Sequence, residues 1–374
     1  MIITGVLAFT VVTNLNNLGK AARVVALIKS ESLGSVSMAE LIEGATAGMV
    51  ESPDDPYSVY LEPEKFQNLE GHIKGTYGGV GLLITVDKDR RLVVVSPFKG
   101  TPAQRAGMIS GDWILKIGDQ ETAELDLSEA ANMMQGDPGT SVVLTVLRPG
   151  ESVPREFELI REVIEIPTVQ GQMLKGAGSI AYLNISNFTE HTEEELERTL
   201  GELQKEKFQG MILDLRSNPG GSLQSAVDVA SYFIPEGPVV YIMGKRDTQT
   251  LMTRKGRYLN VPLVVLVNGG SASASEIVAG AIKDTGSGIL VGENTFGKGL
   301  VQTVFPLEGG AAVKLTTAKY LTPAKHDIHE KGISPHEEII LTPEQERDVL
   351  MHGPDLERDP QMKKAVEVLR EKMK

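Results

Sequence analysis

Cysteine is absent from all 374 residues. That absence excludes thiol nucleophiles, disulfide staples and thiolate zinc sites, and it is compatible with either redox compartment. Basic charge is in the minority: 37 Lys and Arg stand against 50 Asp and Glu, a formal net charge of −13, with no Lys/Arg stripe to interrupt it. Bulk electrostatics therefore disfavour nucleic acid and anionic membrane surfaces as partners. A long apolar run is also missing. The opening MIITGVLAFTVVTN offers roughly a dozen mostly apolar residues with no basic stretch ahead of them, too short for a full membrane span. Residues 1–13 read equally well as the remnant of an export or membrane-anchor segment and as a first core-packing helix or strand.

The length allows two or three domains with a well-buried core. Residues 14–74 form a helical arm and its connector. The second helix of the arm opens with Ser37-Met-Ala-Glu40, a capping-box spacing, and carries Met38, Leu41, Ile42, Ala45 and Met49 on one face. Those apolar faces must pack on the body of the protein or on a second subunit. The Pro- and Asp-rich SPDDPYSVYLEPEKF acts as the connector. From 75 to 162 the pattern changes to short strands broken by turns, with one helical turn at TPAQRAG and a helix at SEAANMMQ, a small barrel-like domain. From 163 to 341 strands and helices alternate (SIAYLNIS, TEEELERTLGELQ, GMILDLR, SLQSAVDVASYFI, PLVVLVN, SEIVAGAIKD, GILV), which predicts an α/β sheet with helices packed on it. Residues 342–374 read as a charged helical tail.

GENTFGKG, residues 292–299, approaches a phosphate-binding loop but has glycine where Ser or Thr is required. The following LVQTVFPL reads as a strand, so the helix N-terminus that would hold a nucleotide is missing. What is left is Lys298 between two glycines, on a tight turn joining two strands. Two strand-to-helix turns precede it. PLVVLVNGGSASASEIVAGAIKD places Ser271, Ser273 and Ser275 where a hydroxyl projects past the end of a sheet and the first N–H groups of a helix are free to stabilise an oxyanion. For any one of these serines the ordinary role is a helix N-cap. DLRSNPGGSLQSAV repeats the strand-turn-helix geometry one unit earlier, and sites form at the carboxyl ends of such strands. A serine nucleophile needs a base. His72, His191, His326, His329, His336 and His352 all lie outside the two Gly-rich turns, and a lysine desolvated by burial serves equally. Lys298 is well placed for that.

SASASEIVAGAIKD, VGENTFGKGLVQ and DLRSNPGG together closely resemble the carboxyl-terminal processing proteases, serine peptidases with a Ser-Lys dyad. The resemblance covers nearly the whole chain from about Ser37. It implies an α/β, crotonase-like (ClpP/crotonase) peptidase core with an inserted PDZ domain and an N-terminal helical arm. It also implies that Ser273 is the nucleophile and Lys298 the general base: the family's separation of 25 is met, since 298 − 273 = 25, and neither Ser271 nor Ser275 meets it. Gln302 matches the residue that orients the lysine in many members, and Asp284 an acidic position implicated in some. The oxyanion hole maps to the N–H of Ala274 and of Gly220 or Gly221. Residues 75–162 become the PDZ domain, with Gly78-Gly79-Val80-Gly81 where such domains receive a peptide's terminal carboxylate.

The chain departs from the family at His336, where an acidic residue is usual. His326-x-x-His329 has metal-like spacing but reads as solvated surface, so neither a metal nor a cofactor is expected. The function implied is ATP-independent endoproteolysis near the free C-termini of protein substrates, at an extracytoplasmic location, with membrane anchoring left to the N-terminal run. The arm and the tail point to a homodimer. The competing readings are a catalytically silent PDZ scaffold, which would have no need of Ser273, Lys298 and Gln302 together, and an acyl-CoA enzyme, against which the PDZ insertion speaks.

Overall fold

GMILD and LVVLV are apolar at almost every position, and strands that hydrophobic belong where both faces of a sheet are covered. They form Gly210–Asp214 and Leu263–Val267, adjacent parallel strands in which every residue is buried. The computed structural model describes residues 2–257 and 259–373, apart from the side chains of 2–16 and 350–352. The chain forms two compact units, one of residues 1–66 and 302–317, the other of 67–301 and 318–374.

The second unit is built on a six-stranded sheet in the order Val169–Met173, Ile180–Ile185, Gly210–Asp214, Leu263–Val267, Ile289–Gly292, Glu337–Glu338. Only the first pairing is antiparallel. Side chains alternate between faces along each strand. Met211, Leu213, Leu263, Val265 and Val267 join the core under helices Thr192–Lys205, Leu223–Phe233 and Ala274–Asp284. Ile212, Val264 and Leu266 face the other way and meet Met362, Ala365, Val366 and Leu369 of helix Pro360–Lys372. The charged tail thus spends the apolar face of its last helix inside its own unit. A hairpin, Pro238–Gly244 with Thr248–Met252, pairs with the end of strand Ala312–Leu321 through Tyr241–Leu321 to Gly244–Ala318.

Within the same unit, strands Leu82–Val86, Leu92–Pro97, Trp113–Ile117, Ser141–Leu147 and Arg155–Ile160 make an antiparallel sheet in that order. Helix Leu127–Met134 packs on it through Ala130 and Met134. Its start is fixed by Asp126 and Glu129, which close a capping box at 2.8 and 2.9 Å. A two-stranded ribbon, Thr76–Gly79 with Glu162–Glu165, leads the chain into and out of this sheet.

In the first unit, helix Ile2–Glu31 precedes helix Met38–Glu51, whose capping box is closed by Ser37 and Glu40 at 3.1 and 2.6 Å. The apolar run 1–13 falls where side chains lie outside the described residues. Among the described residues, no helix is long and apolar enough to cross a membrane. The connector is more ordered than its prolines predict: Val59–Leu61 pairs antiparallel with residues 312–314, and Thr316 N–H donates to Ser58 Oγ at 3.1 Å.

The crotonase-like (ClpP/crotonase) assignment needs correction. The core is a mixed sheet, antiparallel at its first edge, closed on its far face by the chain's own C-terminal helix and accompanied by a separate antiparallel sheet around the Pro238–Met252 hairpin. Strand-helix alternation in the sequence distinguishes an α/β core from other classes, but not one α/β architecture from another.

Candidate active site

Strand Leu263–Val267 leads into Asn268-Gly269-Gly270 and the three alternating serines, and two of the three have structural work. Ser271 Oγ donates to the Leu215 carbonyl at 2.8 Å and accepts from Asn268 N–H at 3.0 Å. Ser275 Oγ donates to the Asn218 carbonyl at 2.9 Å. Both serines are fully buried. Their hydroxyls stitch the serine turn to the neighbouring DLRSNPGG turn, and only Ser273 is partly open to solvent.

Ser273 sits at the start of helix Ala274–Asp284 with φ 55° and ψ −111°. A non-glycine residue in such a conformation costs about 1–3 kcal/mol and persists only where its surroundings hold it. Here its N–H donates to Glu276 Oε2 at 2.9 Å, and the Glu276 N–H goes to the Ser273 carbonyl at 2.9 Å. The N–H of Ala274, the first in the helix, has no acceptor within it.

The DLRSNPGG turn fits against this point because residue 220 is glycine. Its φ is +105°, and a Cβ there would stand 2.7 Å from the Ala272 carbonyl oxygen and 2.9 Å from both Ala274 N and Ser273 Cβ. Buried Asn218 shapes the turn from inside, donating to the Ile185 carbonyl at 2.7 Å and accepting the Gly220 N–H at 2.9 Å. Gly220 therefore has its N–H committed. The bridge to Phe188 runs through the Gly220 carbonyl and the Ser222 N–H, leaving the Gly221 N–H out of it.

Lys298 lies on the turn between strands Ile289–Gly292 and Leu300–Pro306, with no helix after it. The buried Glu276 carboxylate ties this turn to the serine. Its Oε1 accepts from Thr295 Oγ1 at 2.6 Å and Gly297 N–H at 2.7 Å, and its Oε2 accepts from Lys298 N–H at 2.9 Å as well as from Ser273. Tyr320 closes the other side, its hydroxyl donating to the Lys298 carbonyl at 2.6 Å and the Ser273 carbonyl at 3.0 Å. Sequence reasoning missed both residues. Glu276 had a readable signal, the Ser-x-x-Glu spacing of a capping box; Tyr320, on a strand far along the chain, had none.

Gln302 lies on strand Leu300–Pro306 in the first unit, its amide nitrogen buried without a hydrogen-bond partner. The structure does not bring Asp284 to Ser273. It ends the helix that Ser273 begins, about 16 Å away at 1.5 Å per residue. There its carboxylate accepts the Ala324 N–H at 2.8 Å and lies 3.4 Å from His326 Nδ1. Among the described residues no group of three or more His, Asp or Glu could hold a metal ion.

The four residues read as a carboxylate-binding turn divide in two. Gly78 and Gly79 end the ribbon strand, and a Cβ on Gly78 would fall 2.1 Å from the Gly136 carbonyl. Val80 and Gly81 form the turn itself, with Gly81 at φ +76° against the Thr101 side chain. Strand Leu82–Val86, which follows, is the sheet's edge, so its outer backbone groups are open to an added strand. Beside it lies a narrow cavity of about 40 Å³ lined by Tyr77, Val80, Leu82, Ile84, Ala131 and Met134. Burial pushes the Tyr77 hydroxyl up to about 12, so it stays a neutral donor.

A family model for peptidase family S41 matches residues 179–339, one for the PDZ domain residues 93–148, and one for the activating protease CtpB N-terminal domain residues 8–65. The chain is 42% identical over 295 residues to a carboxyl-terminal-processing protease of Synechocystis sp., covering 78% of this chain and 69% of the relative. It is 37% identical over 315 residues to the carboxy-terminal processing protease CtpB of Bacillus subtilis, covering 83% and 65%. A solved photosystem II D1 C-terminal processing protease aligns at 32% identity with a TM-score of 0.52, over 83% of this chain and 85% of that one. A putative S41 protease from Bacteroides fragilis aligns at 16% identity with a TM-score of 0.58, over 92% and 96%. These architectures are those of S41 proteases with a PDZ domain, and they overturn the crotonase-like assignment.

Proposed function

This chain belongs to the carboxyl-terminal processing proteases, and from that premise we propose which of its residues do the work. It is an ATP-independent serine endopeptidase that recognises protein C-termini through its PDZ domain, which replaces the readings as a silent scaffold or an acyl-CoA enzyme. In the proposed mechanism, neutral Lys298 takes the proton from Ser273 Oγ as the oxygen attacks the scissile carbonyl. The oxyanion is met by the N–H groups of Ala274 and Gly221, since that of Gly220 is already donated to Asn218. The lysine then gives its proton to the leaving amine, and a water activated by the same amine hydrolyses the acyl-enzyme. The resemblance assigns the orienting role to Gln302, four residues beyond the lysine in sequence. The observation that carries the assignment is the division of labour among the serines: Ser271 and Ser275 commit their hydroxyls to buried carbonyls, whereas Ser273 is held at φ 55° and is partly open to solvent.

The PDZ turn at Val80 and Gly81 receives the substrate's terminal carboxylate, and the peptide adds to edge strand Leu82–Val86. Homodimerisation goes through the N-terminal arm, where Leu27, Met38, Ile42 and Met49 are exposed, rather than through the tail, whose last helix is buried in the chain's own core. The location is extracytoplasmic. The deciding experiment incubates wild type and Ser273→Ala with a loosely folded protein and identifies fragments by mass spectrometry. Wild type yields fragments cut near the C-terminus and the variant none; the same fragments from both would remove Ser273 from the mechanism.

A further inference from the structure

A Ser-Lys pair works only if its two side chains stay in register, yet Ser273 and Lys298 stand on different turns, one strained at Ser273 and the other holding Lys298 between Gly297 and Gly299. The strands before these turns, Leu263–Val267 and Ile289–Gly292, are paired, and the Phe296 N–H donates to the Ser271 carbonyl at 3.1 Å, but neither contact engages Ser273 or Lys298 themselves. Those two residues are joined by two side chains that neither attack nor abstract. One oxygen of Glu276 accepts the N–H of both residues, each at 2.9 Å. One hydroxyl, that of Tyr320, reaches the carbonyls of both, at 2.6 and 3.0 Å. The backbone of the nucleophile and the backbone of the base are thus gripped on the donor side by a carboxylate and on the acceptor side by a phenol.

We infer that Glu276 and Tyr320 are positioning residues that set the Ser273–Lys298 register by clamping both residues' peptide groups. The inference rests on the proposed dyad. Several features favour a positioning role over mere core filling. Glu276 is fully buried and every one of its four hydrogen bonds ends on the serine turn or the lysine turn. A carboxylate that accepts three backbone N–H groups and a hydroxyl cannot be replaced by its amide without turning an acceptor into a donor. Tyr320 is 1% exposed, and its hydroxyl has one proton to share between two carbonyls. Burial, together with the Glu276 charge, raises its ionisation well above the ordinary phenol range. It therefore remains a donor at any pH at which the enzyme is assayed.

The test uses the full chain and a fluorophosphonate, which phosphonylates an activated serine with loss of fluoride. Ser273→Ala should take up no label; labelling that persists there refutes the dyad on which the inference rests. With the dyad secure, Tyr320→Phe, which removes one oxygen and leaves the ring in place, should still label to one equivalent per chain, because the fold and the serine are intact. Its labelling rate constant and kcat should fall about tenfold or more, with KM within about twofold, because a register error of about 1 Å can cost a hundredfold in rate. Glu276→Gln should follow the same pattern more severely. A rate constant equal to wild type in Tyr320→Phe overturns the clamp. So does a reduced labelling endpoint with an unchanged rate in the molecules that do label, since that is the signature of a residue that only supports folding.

Discussion

Gly220→Ala perturbs the site without touching a reacting group. The new Cβ would stand 2.7 Å from the Ala272 carbonyl oxygen and 2.9 Å from Ala274 N and Ser273 Cβ, distances that real Cβ atoms essentially never show. All three contacts are backbone or Cβ atoms and cannot swing aside, so one of the two turns must move. Alanine at φ +105° adds strain of about 1–3 kcal/mol on its own. The Ser271 and Ser275 hydrogen bonds into the DLRSNPGG turn oppose the movement, so the displacement falls on Ser273, the strained residue between them. A shift of about 1 Å is enough for a loss of about a hundredfold in kcat. The assay is cleavage of a quenched-fluorescence peptide with a free C-terminus, read as kcat and KM, beside thermal melting. Melting should drop by several degrees, and kcat should fall far more than the melt explains at the assay temperature. Gly201→Ala is the control: helix Thr192–Lys205 holds it with nothing within 4 Å of the new Cβ. It should raise stability by about 0.5–1 kcal/mol through helix propensity and leave kcat unchanged. Wild-type kcat in Gly220→Ala would refute the packing argument and, with it, the placement of the nucleophile against this turn.

Lys298→Ala should abolish cleavage as completely as Ser273→Ala, with no further loss in the double variant, and Lys298→Arg should not rescue, since a guanidinium stays protonated. The wild-type rate should climb on the alkaline side as the amine loses its proton, and a plateau already reached at pH 6 would point to another base. Ser271→Ala and Ser275→Ala each remove a hydrogen bond to a buried carbonyl and should cost about 1–3 kcal/mol of stability in chemical denaturation, with the dyad chemistry retained. A flexible substrate with an amidated C-terminus should be cut roughly ten- to hundredfold less well than its free-carboxylate form, the equivalent of one charge-assisted contact of about 1.5–3 kcal/mol; equal cleavage would mean the Val80–Gly81 turn does not read the terminus. His336 is exposed as a residue, but its Nδ1 accepts the Leu290 N–H at 2.9 Å, and local desolvation of the ring there, followed by the Lys283 charge, lowers its pKa. The unfolded chain therefore takes up the proton first. The His336 contribution is intact above the ordinary histidine value of about 6.5, begins to decline as pH falls below it, and is lost once pH has passed through the lower folded value. Melting temperature against pH should show that decline in wild type and not in His336→Asn.

The architecture of the core was legible wherever neighbours in sequence decide the outcome. GMILD and LVVLV announce strands covered on both faces, Ser37-x-x-Glu40 announces a helix start, and the β-branched LVQTVFP after Lys298 rules out a nucleotide loop. Each of these is a local pattern of side-chain size and polarity, and local patterns set helix, strand and cap. Long-range pairings left no such trace. The strand Val59–Leu61 sits in a proline- and aspartate-rich connector because its partner, near Thr316, is 258 residues from Ser58. The hairpin Pro238–Met252 escaped notice for the same reason: half of its pairing is with residues 318–321.

At the site, the resemblance to the carboxyl-terminal processing proteases, through that family's separation of 25 residues, singled out Ser273 and Lys298 among their neighbours, and residue identity made Gly220 and Gly221 plausible donors together. Only the folded chain decides what those residues are free to do. Asn218 reaches back to take the Gly220 N–H, Ser271 and Ser275 are drawn into the adjacent turn, and the helix axis carries Asp284 to the far end from Ser273. Glu276 and Tyr320 enter the site because a buried polar group must find its partners wherever the tertiary structure brings them. That requirement is met in space, not along the chain.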